Sequence, residues 1–300
     1  MIIVPTKSRY ELESERYSNE EIVRANFKSE EVWKIVKESH YAQKENIKKV
    51  KAVLGQEKLI DRGCLTSDVI KENNLFVILG GDNHFTYCAQ NILEYVQDNP
   101  KEKKYVLGAV LDPTKSHGGL LYFTIDSFLK SLRRLEQKDF DIEKWSVLEA
   151  KVNNRNGIVK PYPAVGDYFI GEYSSLFMSR NLVYLNGEPL TCIDKSSGIL
   201  IATGAGSGRG SWYSNIKLSE EGRLNREDEI ARLVLRESRE LTSFTLRRGQ
   251  TVTIDSYNDS KGIVSPDSQE EHSVGFNIGS RAEIKISDLK LLVIKNGKSI

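Results

Sequence analysis

The chain has 300 residues, 39% hydrophobic and 28% charged, a globular composition long enough for one large domain or two of moderate size. Its 43 Lys and Arg against 42 Asp and Glu leave a formal charge of +1, which excludes a global basic field that would draw it onto nucleic acid. No window approaches a membrane span, and the opening apolar run is too short for a signal peptide. Neither nucleic acid nor membrane is therefore expected as a partner. The cysteines, Cys64, Cys88 and Cys192, are scattered without a CxxC, so neither a disulfide framework nor a zinc site is supported and a reducing cytoplasm is the expected setting. The histidines, His40, His84, His117 and His272, show no metal-ligand spacing, and each reads as a surface or satisfied side chain.

In chain order, Met1 to Pro5 predicts a short strand. Glu20 to Leu54 predicts helix from apolar residues at helical spacing, among them Ile22, Val23, Val32, Ile35, Val36, Ile47 and Val50. Leu75 to Leu79 and Tyr105 to Val110 are the next strands, and the strand, helix, strand order predicts a parallel sheet with crossover helices. After a helical Ser127 to Leu135 the character changes. Short β-type runs follow at Val147 to Val152, Tyr168 to Gly171, Leu182 to Leu185, Gly198 to Thr203, Thr251 to Ser256, Gly262 to Ser265 and Ala282 to Ile286, separated by Gly, Asn and Asp turns. A second, β-rich domain is predicted. The polar stretch Lys217 to Arg232 reads as a solvated helix or lid-like connection.

Leu75 to Gln90, LFVILGGDNHFTYCAQ, is the most informative stretch. An apolar strand runs into Gly80-Gly81-Asp82, placing a carboxylate at a sheet's carboxyl edge, where open α/β sheets do their chemistry. Two glycines let the backbone turn and leave room for a phosphate against amide groups, and a small acid there suggests phosphoryl transfer. Taken alone, a Gly-Gly-Asp is more often a tight turn with an Asp cap.

Three further stretches carry chemistry. Gly198 to Thr203 leads into a glycine-rich turn from Gly204 to Gly210, able to present backbone amides to an anion, with Trp212 and Tyr213 beyond it as candidates to stack on a base. The turn satisfies neither the Walker pattern nor the dinucleotide fingerprint. Val106 to Phe123 ends a strand at Asp112-Pro113, followed by Lys115, Ser116 and Gly118 in a turn that could meet phosphate or ribose. Asp167 and Glu172 flank another strand, and Asn186-Gly187 is a hairpin signal.

The order of these stretches resembles the NAD kinase family, in particular its mitochondrial-type branch and bacterial relatives. The family's GGDGT loop is similar to Gly80-Gly81-Asp82-Asn83-His84, and its GVNTDPxRSxG segment to Gly108 through Gly118. Its NEVFIGE segment resembles Gly166-Asp167-Tyr168-Phe169-Ile170-Gly171-Glu172, with a Ser-Arg pair at Ser179-Arg180. The KSSG-strand-TGTGS element resembles Lys195-Ser196-Ser197-Gly198 through Thr203-Gly204-Ala205-Gly206-Ser207. A REP-like element remains as Arg236-Glu237-Ser238, and Lys7 to Tyr17 is similar to the amino-terminal region.

The resemblance implies a Rossmann-like α/β domain at 1–125, a β-sandwich-like domain at 126–288, and a segment, 289–300, returning to the first. It implies transfer of the γ-phosphoryl of ATP to the adenosine ribose 2′-hydroxyl of NAD, with Mg²⁺ carried mainly by ATP, in a homo-oligomer. Asp82 would be the base, and Gly80, Gly81 and Asn83 would line the triphosphate. Asp112, Ser116, Asp167, Thr203, Gly204, Gly206 and Ser207 would contact or shape the nucleotide sites. The chain departs from the pattern at several positions. Asn83-His84 replaces Gly-Thr, putting a larger side chain beside the phosphates; Gly166 and Val110 each replace an Asn; and Pro266-Asp267-Ser268 stands where an Asp-Gly turn is usual. A nucleotide-binding regulatory protein without turnover, or a kinase of a lipid or sugar hydroxyl, therefore stay open beside the NAD kinase reading.

Overall fold

The computed structural model describes residues 1–17, 19–27, 29–115, 118–190, 193–207, 224–238 and 243–295. By their contacts the described residues group into two compact units, one drawn from 1–88, 104–141 and 294–295, the other from 89–103 and 142–293.

The first unit contains β1 (Ile2–Pro5), α1 (Arg9–Arg16), α2 (Glu20–Ala25), α3 (Glu30–Leu54), α4 (Ser67–Glu72), β2 (Leu75–Gly80), the start of α5 (Asp82–Asp98), β3 (Tyr105–Val110), β4 (Phe123–Thr124) and α6 (Ile125–Glu136). Each helix start follows from its capping side chains. Ser8 and Glu11 close a reciprocal capping box on α1, Ser29 accepts the Val32 N–H at the head of α3, and Thr124 with Ser127 boxes α6. Strand β1 pairs parallel with β2, and β2 with β3. Val77, Leu79, Leu107 and Ala109 from these strands pack with Ile47 and Val50 of α3, Phe128 of α6 and Ile294 in one apolar core. The predicted parallel sheet with crossover helices is present. The predicted helix from Glu20 to Leu54 is divided, α2 ending before Phe27 and Ser29 opening α3.

The second unit contains β5 (Asp141–Asn154) from Ile142 on, β6 (Gly157–Val159), β7 (Asp167–Glu172), β8 (Ser179–Leu185), β9 (Glu188–Pro189), β10 (Asp194–Ser196), β11 (Ile199–Ala202), the one-turn α7 (Gly204–Ser207), β12 (Ile230–Leu235), β13 (Ser243–Arg247), β14 (Val252–Ser256), β15 (Gly262–Pro266), β16 (Val274–Gly275) and β17 (Arg281–Lys295) as far as Val293. Six of these strands form an antiparallel sheet ordered β13, β12, β11, β7, β15, β16. Strands β17, β14, β8 and β10 pair antiparallel in another. Tyr168, Ile170, Ile199, Ile201 and Leu233 meet Val183, Ile254 and Ile284 in a shared core. Positive φ at Asn186 (51°) and Gly187 (89°) makes the β8–β9 turn of the primed type that the Asn-Gly pair predicts.

One expectation is corrected. Of the stretch predicted as solvated helix or lid, Ile230 to Arg232 begin β12, where Ala231 is buried, while 217–223 lie outside the described residues. The alternation Ile230, Ala231, Arg232, Leu233, Val234, Leu235, buried at every second residue, carries the strand, and the acidic run before it hid that signal. Among the described residues no helix is long and apolar enough to cross a membrane.

Candidate functional site

Two acids follow the carboxyl ends of the parallel strands β2 and β3 of the first unit. Gly80 at the end of β2 pairs with Val110 at the end of β3, so Asp82 and Asp112 both follow the same edge of the sheet. Asp82 opens α5, a 17-residue helix whose unpaired amides favour negative charge nearby. Its carboxylate accepts hydrogen bonds from the Gly119 N–H at 3.0 Å and the Leu120 N–H at 2.8 Å. Both oxygens are thus engaged, yet a carboxylate has about four lone-pair sites, and Asp82 is only half-buried. Gly118, just before these amides, has φ of 54°, and a Cβ there would lie 2.4 Å from Val110 Cγ2, so this turn requires glycine.

Asp112 is anchored differently. Ser39 of α3 donates to its Oδ2 at 2.6 Å, and the Thr114 hydroxyl and N–H donate to Oδ1 at 2.6 and 3.1 Å. Burial works to raise its carboxyl, but the hydrogen bonds from Ser39 and Thr114 outweigh it and hold the group below its ordinary value. In this arrangement Asp112 shapes the loop and its oxygens are already used by the protein. Ser116 and His117 lie outside the described residues.

The pair Asn83-His84 divides. Asn83 is exposed at the head of α5, whereas the His84 ring turns inward, 6% exposed, with Nε2 bonded to the Val4 carbonyl of β1 at 2.9 Å. A Cβ on Gly80 would lie 3.1 Å from both the His84 ring and Thr6. The expected bulk beside a phosphate is therefore Asn83 alone, since the histidine fills the gap between β1 and the Gly80 backbone. Gly81 contributes its carbonyl to the Phe85 N–H of α5. Burial drives the His84 pKa down to about 4, with the Val4 hydrogen bond opposing. The ring is neutral at pH 7 and offers no positive charge to an anion.

The remaining predicted residues converge in the second unit. Ala202 at the end of β11 pairs with Asp167 at the start of β7, which brings Thr203 beside Val165 and Gly166. The Thr203 hydroxyl donates to the Val165 carbonyl at 2.7 Å, and its N–H to the Gly166 carbonyl at 2.8 Å. The same hydroxyl accepts the Ala205 N–H at 3.1 Å, capping the α7 turn, and Ser207 returns both N–H and hydroxyl to the Thr203 carbonyl. Gly204, Ala205, Gly206 and Ser207 are buried. A Cβ on Gly204 would lie 1.9 Å from the Asn225 carbonyl oxygen, and one on Gly206 2.2 Å from the Gly166 carbonyl oxygen. These glycines thus serve a backbone crossing within the protein itself. Gly166 fits the same crossing: a Cβ there would stand 3.0 Å from the Asp267 carboxylate and 3.4 Å from Gly206 Cα. Gly208, Arg209 and Gly210, with Trp212 and Tyr213, lie outside the described residues. We expect Gly206→Ala to lower unfolding stability by about 1–3 kcal/mol, since neither backbone can yield without moving the turn. An unchanged urea midpoint would remove the crossing from the argument.

Sequence reading missed what holds this region. Asp267, 7% exposed, accepts the N–H groups of Val165 (2.9 Å), Gly166 (2.5 Å) and Asp167 (3.0 Å), and the side-chain amide of Gln90 (2.6 Å). Burial pushes its carboxyl above its ordinary value, while the hydrogen bonds from Gln90 and the three amides pull it back. All four of these hydrogen bonds are donated to the carboxylate, so the anion is the form these contacts accommodate. Asp167 itself is buried, its carbonyl accepting the Asp267 N–H at 2.8 Å. Glu172, at the far end of β7, accepts the Ser260 and Lys261 amides. The unusual Pro266-Asp267-Ser268 was visible in the sequence, but its partners were not.

Among the solved structures that the chain resembles are two kinases. One is yeast NADH kinase complexed with NADH, with a TM-score of 0.65 and 17% identity over 79% of this chain, which spans 65% of that protein's length. The chain has the fold of the NAD kinases. The other is an NAD kinase from Archaeoglobus fulgidus in complex with ATP, with a TM-score of 0.62 and 16% identity, covering 84% of this chain and 90% of that one. No family model matches the sequence, and no curated protein does. The α/β first unit and β-rich second unit are thus as the resemblance implied.

Among the described residues no group of three or more His, Cys, Asp or Glu side chains is arranged to hold a metal ion. Asp82 and Asp112 have their oxygens occupied by N–H and O–H donors.

Proposed function

We propose that the chain transfers the γ-phosphoryl of ATP to the adenosine ribose 2′-hydroxyl of NAD, giving NADP and ADP. The observation that carries the reading is Asp82, placed at the carboxyl edge of the parallel sheet and the head of α5 in a fold otherwise found in NAD and NADH kinases. A hydroxyl attacking phosphorus needs a base for its proton, and little else of the chemistry is covalent. Asp82 takes that proton as the ribose oxygen bonds to phosphorus and the bond to the β-phosphate oxygen breaks. The exposed Asn83 and the Gly80-Gly81 backbone meet the triphosphate, with Mg²⁺ arriving on the ATP. Asp167 and the turn from Thr203 to Ser207 order the dinucleotide site, the glycines setting its backbone. The chain acts as a homo-oligomer in the cytoplasm.

The test is NADP formation by the purified protein with ATP, Mg²⁺ and NAD or NADH, read with an NADP-specific dehydrogenase. Production of NADP, or of NADPH from NADH, is expected. The engagement of both Asp82 oxygens by Gly119 and Leu120 favours a second reading, a nucleotide-binding regulatory protein. Binding of ATP or NAD by calorimetry with no turnover would establish that reading instead.

A further inference from the structure

We infer that Gln90 and His272 are positioning residues that hold the Thr203 to Ser207 turn in place through Asp267. The inference deepens the proposed function, because the turn matters to catalysis only if it orders the dinucleotide.

The connection is a chain of hydrogen bonds within the second unit. Gln90 is fully buried on α5, its Nε2 donating to Asp267 Oδ2 at 2.6 Å and its Oε1 facing His272 Nδ1 at 2.5 Å. Each link dictates the next. An ionised carboxylate can only accept, so Gln90 must present its NH₂ to Asp267 and its carbonyl oxygen to the imidazole. That oxygen can only accept in turn, so His272 must carry a proton on Nδ1. The imidazole lies flat on Tyr162, ring centroids 3.9 Å apart and 11° from parallel, which fixes its plane.

Beyond Asp267 the chain continues through backbone. Three successive amides, Val165 to Asp167, converge on the one carboxylate, and the carbonyls of Val165 and Gly166 receive the hydroxyl and N–H of Thr203. Thr203 caps α7, and Gly206 rests against Gly166 with no room for a Cβ. A displacement of Asp267 must therefore shift the strap from Val165 to Asp167, and the strap carries the turn with it. A buried carboxylate held by three backbone amides and one side-chain amide is a costly way to fill a core, which an apolar side chain would do better. Fully satisfied, it selects one arrangement of the strap, as a buried polar network can. Asp267 holds left-handed backbone at φ of 48°, with Ser268 at 57°, and that bend aims the carboxylate back at the amides.

The experiment compares the full chain with Gln90→Leu, His272→Phe and the double variant. Amide hydrogen exchange at Val165 to Asp167 and at Ala205 to Ser207 is the readout that needs no nucleotide. We expect exchange at both groups to rise at least tenfold in Gln90→Leu, while amides of β14 and β17 keep their wild-type rates. The double variant should exchange no faster than Gln90→Leu alone, since both act on one chain of contacts. In turnover, KM for the dinucleotide should rise at least tenfold with kcat within threefold of wild type. Exchange at Ala205 to Ser207 unchanged in Gln90→Leu overturns the inference, as does additivity of the two substitutions. If Gln90→Leu does not fold, His272→Phe decides by the same amides. A wild-type protein that makes no NADP sinks the proposed function but leaves the exchange result to decide the positioning role. An unchanged KM with faster exchange removes the turn from the dinucleotide site.

Discussion

Asp82→Asn is expected to lower the rate of NADP formation by about 10²–10⁴-fold, the range that general-base catalysis supplies. The substitution keeps the size of the side chain and removes its capacity to take a proton. It also disturbs the turn, because the Gly119 and Leu120 N–H groups both point at carboxylate oxygens and asparagine offers only one acceptor. A cost of about 1–3 kcal/mol in stability accompanies the change, the price of leaving one donor without a partner. The two effects separate in one experiment: ATP affinity by calorimetry reports the turn, and the rate at saturating nucleotide reports the base. A variant that turns over at the wild-type rate would show that Asp82 only holds the Gly119 and Leu120 amides.

The second large effect is on stability. His84 has its pKa driven from 6.5 to about 4 by burial, so the folded protein binds fewer protons than the unfolded chain between those values. Its contribution is fully present above pH 6.5 and is lost as pH falls toward 4. A shift of this size corresponds to about 3 kcal/mol across the window. Unfolding free energy from urea titrations should fall by that order between pH 6.5 and 4, beyond what the carboxylates cause. His84→Gln keeps a donor for the Val4 carbonyl without an ionisable ring, and should flatten the slope in that window. Equal slopes for the two proteins would mean that His84 is not the group that titrates. The same burial bears on chemistry, because a neutral ring bonded to β1 cannot assist phosphate binding as a cation. In the proposed reaction, positive charge for the triphosphate must come from elsewhere or from the metal it carries.

The legible part of the site was its first element. Leu75 to Gly80 is an apolar run ended by two glycines and an acid, and the strand, turn and helix that it predicts are β2, Gly81 and α5. Likewise Asn186-Gly187 specified its own turn, since only residues that tolerate positive φ serve there. By contrast β13 went unread, and Ile230 to Arg232, the start of β12, were read as part of a solvated helix or lid-like connection, because the partners of these strands are supplied by strands elsewhere and their flanks are polar. His84 read as a surface or satisfied residue; which of these it is depends on β1 lying beside β2, a pairing no local pattern announces.

By itself the sequence determined the elements whose causes are local, the capped helices, the alternating strands and the tight turns, and it carried an order of motifs that resembles the pattern of the NAD kinase family. Tertiary structure decided what each chemical group does. The glycines of the Thr203 turn are required by Asn225 and Gly166, Asp112 is spent on Ser39 and Thr114, and Asp267 binds amides 100 to 102 residues away. Propensity and capping act within a turn or two of chain, whereas the satisfaction of a buried polar group depends on which distant backbone the fold brings to it.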